Sequence, residues 1–162
     1  DTISVGSHIL DAGCGSGRDS KYFIDNGYKV TAFDASRKIC DKASAYIGQE
    51  VINATFDSFN LTEQFDGIWA CASLLHVKRA EMVVTINKLI GLLKPNGVLY
   101  ASWKYGYAER IQAGKYYCDL DERWIKEILY KINGELVSMW VSHDQRKKVD
   151  CKWLNILLKK YR

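Results

Sequence analysis

The sequence is poor in the features that mark membrane, secreted and metal-binding chains. It contains one proline, Pro95, and no run of about 18 apolar residues, so we expect no membrane span. No basic segment followed by an apolar one precedes the first aliphatic run, so no secretory leader is indicated. The five cysteines lie far apart without a CxxC pair, and their odd number argues against a disulfide framework. We therefore expect a cytoplasmic protein with reduced thiols and no metal site.

The charge is nearly balanced overall but unevenly distributed. A net charge of +4 is too small to indicate a nucleic-acid partner. From residue 131 onward, however, basic residues outnumber acidic ones eight to three. This basic tail consists of Lys131, Arg146, Lys147, Lys148, Lys152, Lys159, Lys160 and Arg162. It is either a solvated face or a site for an anionic substrate or a polyanion, and both interpretations stay open at this point.

Strand and helix patterns alternate along the 162 residues. Apolar and β-branched runs predict strands at residues 8–11, 29–34, 50–54, 65–70, 98–103, 136–141 and 153–158. Helical spacing and capping residues predict helices at 18–26, 36–47 and 79–93, and one from Asp119 or Asp121 to Gly134. The last two strands form a hairpin. The alternation predicts an α/β fold, Rossmann-like and doubly wound, with a mostly parallel seven-stranded sheet and a C-terminal antiparallel hairpin.

A glycine loop follows the first predicted strand. In "LDAGCGSGRDS", residues 10–20, the loop sets Gly13, Gly15 and Gly17 two apart after Asp11. Glycine allows positive φ and lets a ligand approach with no Cβ in the way, and the next helix turns its first amides toward that ligand. The dinucleotide fingerprint GxGxxG would require a glycine at position 18, where Arg18 stands. A nicotinamide-dependent oxidoreductase, which shares the fold, is therefore only the alternative.

This loop and three later segments resemble class I S-adenosylmethionine-dependent methyltransferases. "VTAFDAS" (30–36) resembles the second strand ending in an acid, "FDGIWACASLLHV" (65–77) the fourth strand and its exit, and "LLKPNGVLYAS" (92–102) the turn into the fifth strand. More narrowly, the chain resembles small bacterial methyltransferases labelled tellurite-resistance-like or type 11 and type 25. The resemblance implies direct in-line transfer of a methyl group to a small-molecule acceptor through oxygen, nitrogen, sulfur or a metalloid. S-adenosylmethionine would be the cofactor and S-adenosylhomocysteine its product.

The resemblance also implies cofactor-binding residues. Asp34 would accept hydrogen bonds from the two ribose hydroxyls, with a helix-capping role as the alternative. Asp11 would hold the loop amides or the cofactor's amino group. Phe56 and Asp57 would contact adenine, with core packing as the alternative for Phe56. The complete implied set is Asp11, Gly13, Cys14, Gly15, Gly17, Asp34, Ala35, Phe56, Asp57, Cys71, Ala72 and Leu74.

His76 is the catalytic candidate because an imidazole can accept a proton from an acceptor hydroxyl, thiol or amine. The alternative is a histidine that orders the loop after the fourth strand. Cys71 is a weak candidate for a nucleophile, because the prolines and surrounding motif of cysteine-dependent methyltransferases are absent. Substrate contacts are expected from the segment after the fifth strand and the late hairpin, at Lys104, Tyr105, Arg110 and Arg146; the alternative is that these basic groups are solvated.

One departure from the family pattern concerns the N-terminal side. Class I methyltransferases usually carry a helical segment before the first strand, whereas here that strand begins at about residue 8. The chain is therefore either a fragment of a longer protein, with acceptor-site residues outside this sequence, or a methyltransferase without the lid. In both cases we expect residues 1–162 to form a single methyltransferase domain. A catalytically silent subunit that binds the cofactor remains a further alternative. The sequence indicates neither a nucleic-acid partner nor an oligomeric state.

Overall fold

The computed structural model of the protein describes residues 3–146 and 150–161. Within them, the strands are β1 (His8–Ala12), β2 (Lys29–Asp34), β3 (Ile52–Asn53), β4 (Phe65–Ala70), β5 (Leu93–Lys104), β6 (Glu109–Gln112), β7 (Lys115–Cys118), β8 (Gly134–His143) and β9 (Lys152–Lys160). The helices are α1 (Arg18–Asp25), α2 (Arg37–Ile47), α3 (Arg79–Gly91) and α4 (Glu122–Ile128), with 3-10 turns at Leu74–His76 and Leu129–Lys131. None of these helices has the length and apolar character that a membrane span requires.

Seven strands form one sheet in the order β3-β2-β1-β4-β5-β9-β8. Neighbours among β1 to β5 pair in parallel, while β9 and β8 add antiparallel strands at one edge. The predicted fold class is confirmed: α/β, mostly parallel, seven-stranded, with a C-terminal antiparallel hairpin. The order reverses between β1 and β4, and in such sheets the ligand crevice lies beyond the carboxyl ends of the strands at that point.

Both faces of the sheet carry apolar packing, which explains the nearly continuous apolar runs of the central strands. On one face, Leu10, Ile68 and Leu99 are at most 2% exposed and belong to the main core, which includes buried residues of α3 and α4. On the other face, a smaller core joins β2 to α2 through side chains such as Val30 and Cys40. Helices on both faces therefore hold the carboxyl ends of β1 and β2 in place.

Capping side chains set the start of two helices. The Ser36 Oγ accepts a hydrogen bond from the Ile39 N–H at 3.4 Å, and Gly48 ends α2 in the left-handed conformation. Asp121 caps α4 by accepting from the Trp124 N–H at 3.1 Å. Since Ser36 caps α2, the carboxylate of the residue that ends β2 is not needed for that purpose.

Some predicted boundaries were wrong. The strand predicted at 50–54 pairs only at β3, because a turn closed by hydrogen bonds between Thr55 and Ser58 follows directly. The helix predicted to run to Gly134 ends at Ile128 and continues as a 3-10 turn, and Gly134 starts β8. The predicted turn before residue 98 lies within β5, where Asn96 has a φ of 64° and the pairing with β4 shifts register.

The hairpin of β6 and β7 was not predicted. Its two-residue turn consists of Ala113 and Gly114, with φ values of 49° and 72°. Positive φ at both central residues matches the right-handed twist of a hairpin, but asparagine or aspartate usually occupies the first of these positions. The hairpin places a small second sheet beside the exit of β4, where β7 packs on the 3-10 turn Leu74–His76.

Part of the sheet face that carries α1 is not covered by any described segment. A groove of about 380 Å³ runs over β4 and β5 next to α1. Its apolar lining includes Ile3, Val5, Ile9, Tyr22, Phe23, Tyr28, Trp69, Val98, Tyr100 and Leu157. The rings of Trp69 and Tyr100 stack with centroids 4.1 Å apart, and Phe23 meets Trp69 edge-on. A continuous apolar surface of this kind commonly packs against another segment or molecule.

Candidate active site

The exits of β1 and β4 are in direct contact at the point where the strand order reverses. The Ser73 hydroxyl donates to the carbonyl of Ala12 at 2.6 Å, and Ser73 is buried. A Cβ built on Gly13 would lie 2.5 Å from the Cβ of Ser73. Gly13 therefore has to be glycine because of Ser73, and its absence of a side chain serves packing within the protein.

The three glycines of the loop have different neighbours. A Cβ on Gly17 would meet the side chain of Ile47 at 2.9 Å, so Gly17 allows α1 and α2 to pack closely. A Cβ on Gly15 would meet nothing within 4 Å, although Gly15 also has a positive φ of 55°. Gly15 is thus the loop glycine that faces open space, and a ligand at this edge of the sheet can reach its main chain.

Asp34 organises the other side of this space. Its Oδ2 accepts from the Gly15 N–H and its Oδ1 from the Ser36 N–H, both at 3.0 Å. A carboxylate offers about four acceptor positions, so each oxygen retains capacity for another donor. Asp34 is only half-buried, and the next residue, Ala35, is exposed. The geometry leaves Asp34 able to accept two hydroxyl groups from a ligand.

Asp11 is the second carboxyl group of the loop and lies in a different environment. It is 2% exposed, and its Oδ2 accepts from the Ser20 hydroxyl at 2.6 Å. Burial raises the pKa of Asp11 to about 7, with further contributions from the charges of Asp19 and Asp34. A buried carboxyl group that is partly ionised near neutral pH favours a cationic partner.

Cys14, between the first two glycines, has no reactive character. Burial raises the pKa of its thiol to about 12, and the side chain packs against the smaller core. If Cys14 contacts the cofactor, as the sequence predicts, it does so through its main chain or through van der Waals contact of its side chain.

The exit of β4 adopts an unusual conformation held by β5. Ala72 has a φ of 51°, and its N–H donates to the Ser102 hydroxyl at 2.9 Å. Such a conformation is costly outside glycine and often marks a functional site. The same hydroxyl lies 3.8 Å from the sulfur of Cys71, whose pKa is raised by burial, so Cys71 remains a thiol. Leu74, by contrast, is fully buried and belongs to the main core instead of lining the crevice.

The predicted adenine contacts lie beside β2. Phe56 is half-buried, and its ring packs edge-on against that of Phe33 with the centroids 5.4 Å apart. Phe33 directly precedes Asp34 in β2. Asp57 is exposed, and the carbonyls of both residues accept from Lys88 Nζ at 3.1 Å. Phe56 therefore packs on the core and is still partly accessible, while the side chain of Asp57 is exposed.

His76 is exposed and connects the β4 exit to the unpredicted hairpin. Its Nδ1 lies 2.8 Å from the carbonyl oxygen of Tyr116. A carbonyl only accepts hydrogen bonds, so Nδ1 carries the hydrogen and Nε2 of a neutral ring is left as an acceptor. The ring also packs edge-on against Tyr117 at 4.9 Å. The contact of His76 with Tyr116 fits the predicted role in ordering the loop after β4. The same contact leaves Nε2 of a neutral ring as an acceptor, which the predicted catalytic role requires.

The four candidate substrate residues do not form one cluster. Lys104 and Arg110 both lie on the ring of Tyr117, at 4.7 and 5.2 Å from its centroid. The hydroxyl of Tyr105 donates to Glu122 at 2.8 Å. Arg146 pairs with Asp144 at 2.7 Å. Within the basic tail, Lys147, Lys148 and Arg162 lie outside the described residues.

Three serines contribute to the site in ways that the sequence did not indicate. Ser20 binds the buried Asp11, Ser73 joins the two strand exits, and Ser102 holds the main chain of Ala72. Single serines carry little signal in a sequence, because the partners of their hydroxyl groups depend on the tertiary structure. The absence of a Cβ at Gly13 is the one sequence feature that is consistent with the close approach of Ser73.

Comparison of the sequence with models of known protein families gives a match to an enzyme family. The sequence model described as "Methyltransferase domain" matches residues 9–97, which include the glycine loop, Asp34 and the exit of β4. The chain belongs to this methyltransferase family. The match extends over more than half of the chain and ends at the turn before the regular part of β5, so the hairpins beyond it are outside the shared region.

Curated methyltransferases are similar to this chain over part of its length. The chain is 34% identical over 96 residues to malonyl-[acyl-carrier protein] O-methyltransferase of Enterobacter lignolyticus (strain SCF1), covering 57% of this chain and 37% of the relative. It is 30% identical over 103 residues to ubiquinone biosynthesis O-methyltransferase of Coxiella burnetii (strain Dugway 5J108-111), covering 60% of this chain and 43% of the relative. The chain thus spans less than half the length of these methyltransferases.

Solved structures share the whole fold. One is 1,6-didemethyltoxoflavin-N1-methyltransferase of Burkholderia thailandensis, whose structure was determined with bound 1,6-didemethyltoxoflavin and S-adenosylhomocysteine. The two structures align with a TM-score of 0.80 at 22% sequence identity, and the alignment covers 98% of this chain and 72% of the Burkholderia chain. Another is an S-adenosylmethionine-dependent methyltransferase of Methanosarcina mazei, with a TM-score of 0.81 at 17% identity and coverage of 99% and 95%. Unlike the family match, which ends at residue 97, these structural alignments cover the hairpins β6–β7 and β8–β9.

The glycine contacts predict different costs for two neighbouring substitutions. Gly13→Ala should lower the free energy of unfolding by about 3 kcal/mol or more, because a strained φ adds to the clash with Ser73. Gly15→Ala should cost only about 1 kcal/mol, the strain of its φ alone. Urea unfolding monitored by circular dichroism measures both. Equal destabilisation of the two variants would contradict the assignment of Gly13 to packing and Gly15 to open space.

The raised pKa of Asp11 predicts a pH-dependent stability. The native state keeps this proton up to about pH 7, whereas the unfolded chain releases it near the ordinary aspartate pKa of 3.8. The native state therefore binds more protons in this window, and stability falls as the pH rises through it, by at most about 4 kcal/mol from this group. Asp11→Asn should remove that slope and gain stability relative to the unmodified chain toward pH 8.

Denaturant unfolding at several pH values between 4 and 8 measures this slope. Asp41→Asn provides the matched control, since Asp41 is an exposed carboxylate on α2. Its profile should run parallel to that of the unmodified chain. A parallel profile for Asp11→Asn as well would show that burial of Asp11 does not shift its titration.

Proposed function

We propose that this chain binds S-adenosylmethionine in the crevice beside Gly15 and Asp34 and transfers its methyl group to a small-molecule acceptor. The observation that carries the proposal is the pairing of an open-sided Gly15, after β1, with a half-buried Asp34, at the end of the neighbouring β2, beside the reversal of strand order between β1 and β4. A side chain at Gly15 would fill space that the protein leaves empty. The nearby carboxylate has the acceptor capacity that a ribose diol requires.

The remaining groups of the crevice suit such a cofactor. Asp11 offers a buried negative charge for an ammonium or sulfonium group, and the accessible part of Phe56 offers an aromatic face for adenine. When bound, the cofactor supplies a methyl group on positively charged sulfur, which is already activated for transfer. The chain then has to orient the acceptor in line and take up its proton, for which His76 Nε2 is the candidate.

One feature of the relatives and one of this chain support an oxygen acceptor. Both curated relatives described above are named O-methyltransferases. An acceptor hydroxyl group must lose its proton as the new bond to carbon forms, and a neutral imidazole fixed through Nδ1 can accept it. His76 would therefore be a catalytic residue of the reaction.

The two alternatives from the sequence have weaker support. A nicotinamide-dependent oxidoreductase would share the fold and Asp34, but Arg18 occupies the third glycine position of the fingerprint and the family match is to methyltransferases. A catalytically silent subunit would preserve the cofactor crevice but would not need the oriented His76. Ligand binding separates the first alternative from our proposal, and turnover separates the second.

We infer that residues 1–162 form one methyltransferase domain, since seven of the described strands lie in one sheet and the main core extends from β1 to the C-terminal hairpin. We also infer a cytoplasmic location, since all five cysteines are free thiols.

Substitution of Asp34 tests the proposed cofactor site. The unmodified chain should bind S-adenosylmethionine and S-adenosylhomocysteine with micromolar affinity in calorimetric titrations, and Asp34→Ala should weaken binding at least about 100-fold, because the diol loses a charged acceptor and Gly15 loses its tether. Gly15→Ala should weaken binding while remaining folded.

Asp41→Ala, on the exposed face of α2, is the matched control and should bind like the unmodified chain. NAD should give no heat of binding. The proposed function would be contradicted if the folded chain bound NAD but neither S-adenosylmethionine nor S-adenosylhomocysteine. That result would favour the oxidoreductase.

A further inference from the structure

The ring of Tyr117 is the centre of a cluster beside the proposed reaction site. Lys104, at the end of β5, places its Nζ 4.7 Å from the ring centroid, and the Arg110 guanidinium lies 5.2 Å from it. The His76 ring packs against the same tyrosine at 4.9 Å. We call Lys104, Arg110 and Tyr117 the cationic cluster. Since it touches His76, the cluster lies next to the group that would take the acceptor's proton.

The two cations of this cluster differ in their ionic partners. Arg110 forms a hydrogen-bonded ion pair with Asp119, whose side chain is 14% exposed. Lys104 has no carboxylate within salt-bridge distance among the described residues, and it is half-buried. The charge of Arg110 is thus balanced, whereas that of Lys104 is not. A partly desolvated ammonium without a counter-ion favours the approach of an anion.

Two buried polar atoms next to the cluster lack partners in the described part of the chain. Arg79 contacts Asp119 through its Nη2, but its Nε is buried and unpaired. The Oδ1 of Asp119, the ion-pair partner of Arg110, is likewise buried and unpaired. Buried polar atoms are normally satisfied, so the hydrogen bonding beside Arg110 is incomplete, and the unbalanced charge of this region is that of Lys104.

We propose that the cationic cluster binds a carboxylate group of the methyl acceptor. This inference rests on the proposed function, because it assigns the cluster to the acceptor of that reaction. Lys104 supplies the charge, Arg110 stays with Asp119 and holds the ring, and Tyr117 fixes both cations relative to His76. The subsite therefore determines which acceptors bind and how they lie; it does not take part in the chemical step.

Electrostatics make the subsite selective. The methyl group comes from a cofactor with a positively charged sulfur, so Lys104 adds a second positive charge to the same region. An acceptor that carries an ammonium group is repelled by both, whereas one that carries a carboxylate is attracted to both. Selectivity here thus combines attraction of anions with repulsion of protonated amines.

The test uses nuclear magnetic resonance on the full chain saturated with S-adenosylhomocysteine. Benzoate, acetate and neutral benzamide are titrated while the Tyr117 ring signals are followed. Both anions should shift these signals saturably, and benzamide should not. Lys104→Gln should weaken anion binding about tenfold or more, and Lys104→Arg, which keeps the charge, should retain it.

Lys115→Gln, at the exposed end of β7, is the matched control and should bind the anions like the unmodified chain. Tighter binding of benzoate than of acetate would assign the subsite to aromatic acids, and equal binding would assign it to carboxylates in general. The proposal is overturned if benzamide binds as well as benzoate, if Lys104→Gln binds the anions normally, or if neither anion saturates in the millimolar range.

The same titrations without the sulfur ligand separate this proposal from the preceding one. Anion binding at Tyr117 in a chain that does not bind S-adenosylhomocysteine would contradict the proposed function but leave the anion site intact. Binding of S-adenosylhomocysteine with no anion effect would overturn the subsite alone.

Discussion

The close approach between Gly13 and Ser73 is the constraint on which the rest of the site depends. It brings the exits of β1 and β4 into van der Waals contact and adds the hydrogen bond from Ser73 to the carbonyl of Ala12. The loop beyond this contact is bonded to the neighbouring strand, where the Gly13 and Cys14 amides donate to the carbonyl of Phe33 and the Gly15 amide donates to Asp34. The crevice is therefore fixed by contacts within the protein before any ligand binds.

The two carboxyl groups of the crevice illustrate how environment separates chemically identical side chains. Asp34 is half-buried and accepts two main-chain N–H groups, and each of its oxygens keeps room for a further donor. Asp11 is almost fully buried and has one hydroxyl partner, so burial raises its pKa to about 7. The first is suited to neutral hydroxyl donors and the second to a cation. A ligand that carries both kinds of group satisfies both carboxyls, and a dinucleotide phosphate would meet negative charge at Asp11.

The parts of the fold that were predicted correctly are those with a local physical signal. Ser36 marks the start of α2 because a helix cap is encoded by a single residue. The central strands could be predicted from apolar runs because both faces of the sheet carry apolar side chains. The hairpin of β6 and β7 was missed because Ala113 is an unusual residue for the first turn position. The serine contacts were missed because a hydroxyl group does not reveal its partner until distant strands are placed side by side.

The missed hairpin changes how His76 is understood. From the sequence, a histidine that orders a loop and a histidine that accepts a proton were competing interpretations. In the structure, the Tyr116 carbonyl engages Nδ1, and this one contact both fastens β7 to the exit of β4 and leaves Nε2 as the acceptor in the neutral ring. Since Tyr117 follows directly and contacts Lys104 and Arg110, the same strand holds the imidazole and places two cations beside it. The two interpretations of His76 are therefore compatible, because the contact that orders the loop also leaves Nε2 as the acceptor that the proposed reaction requires.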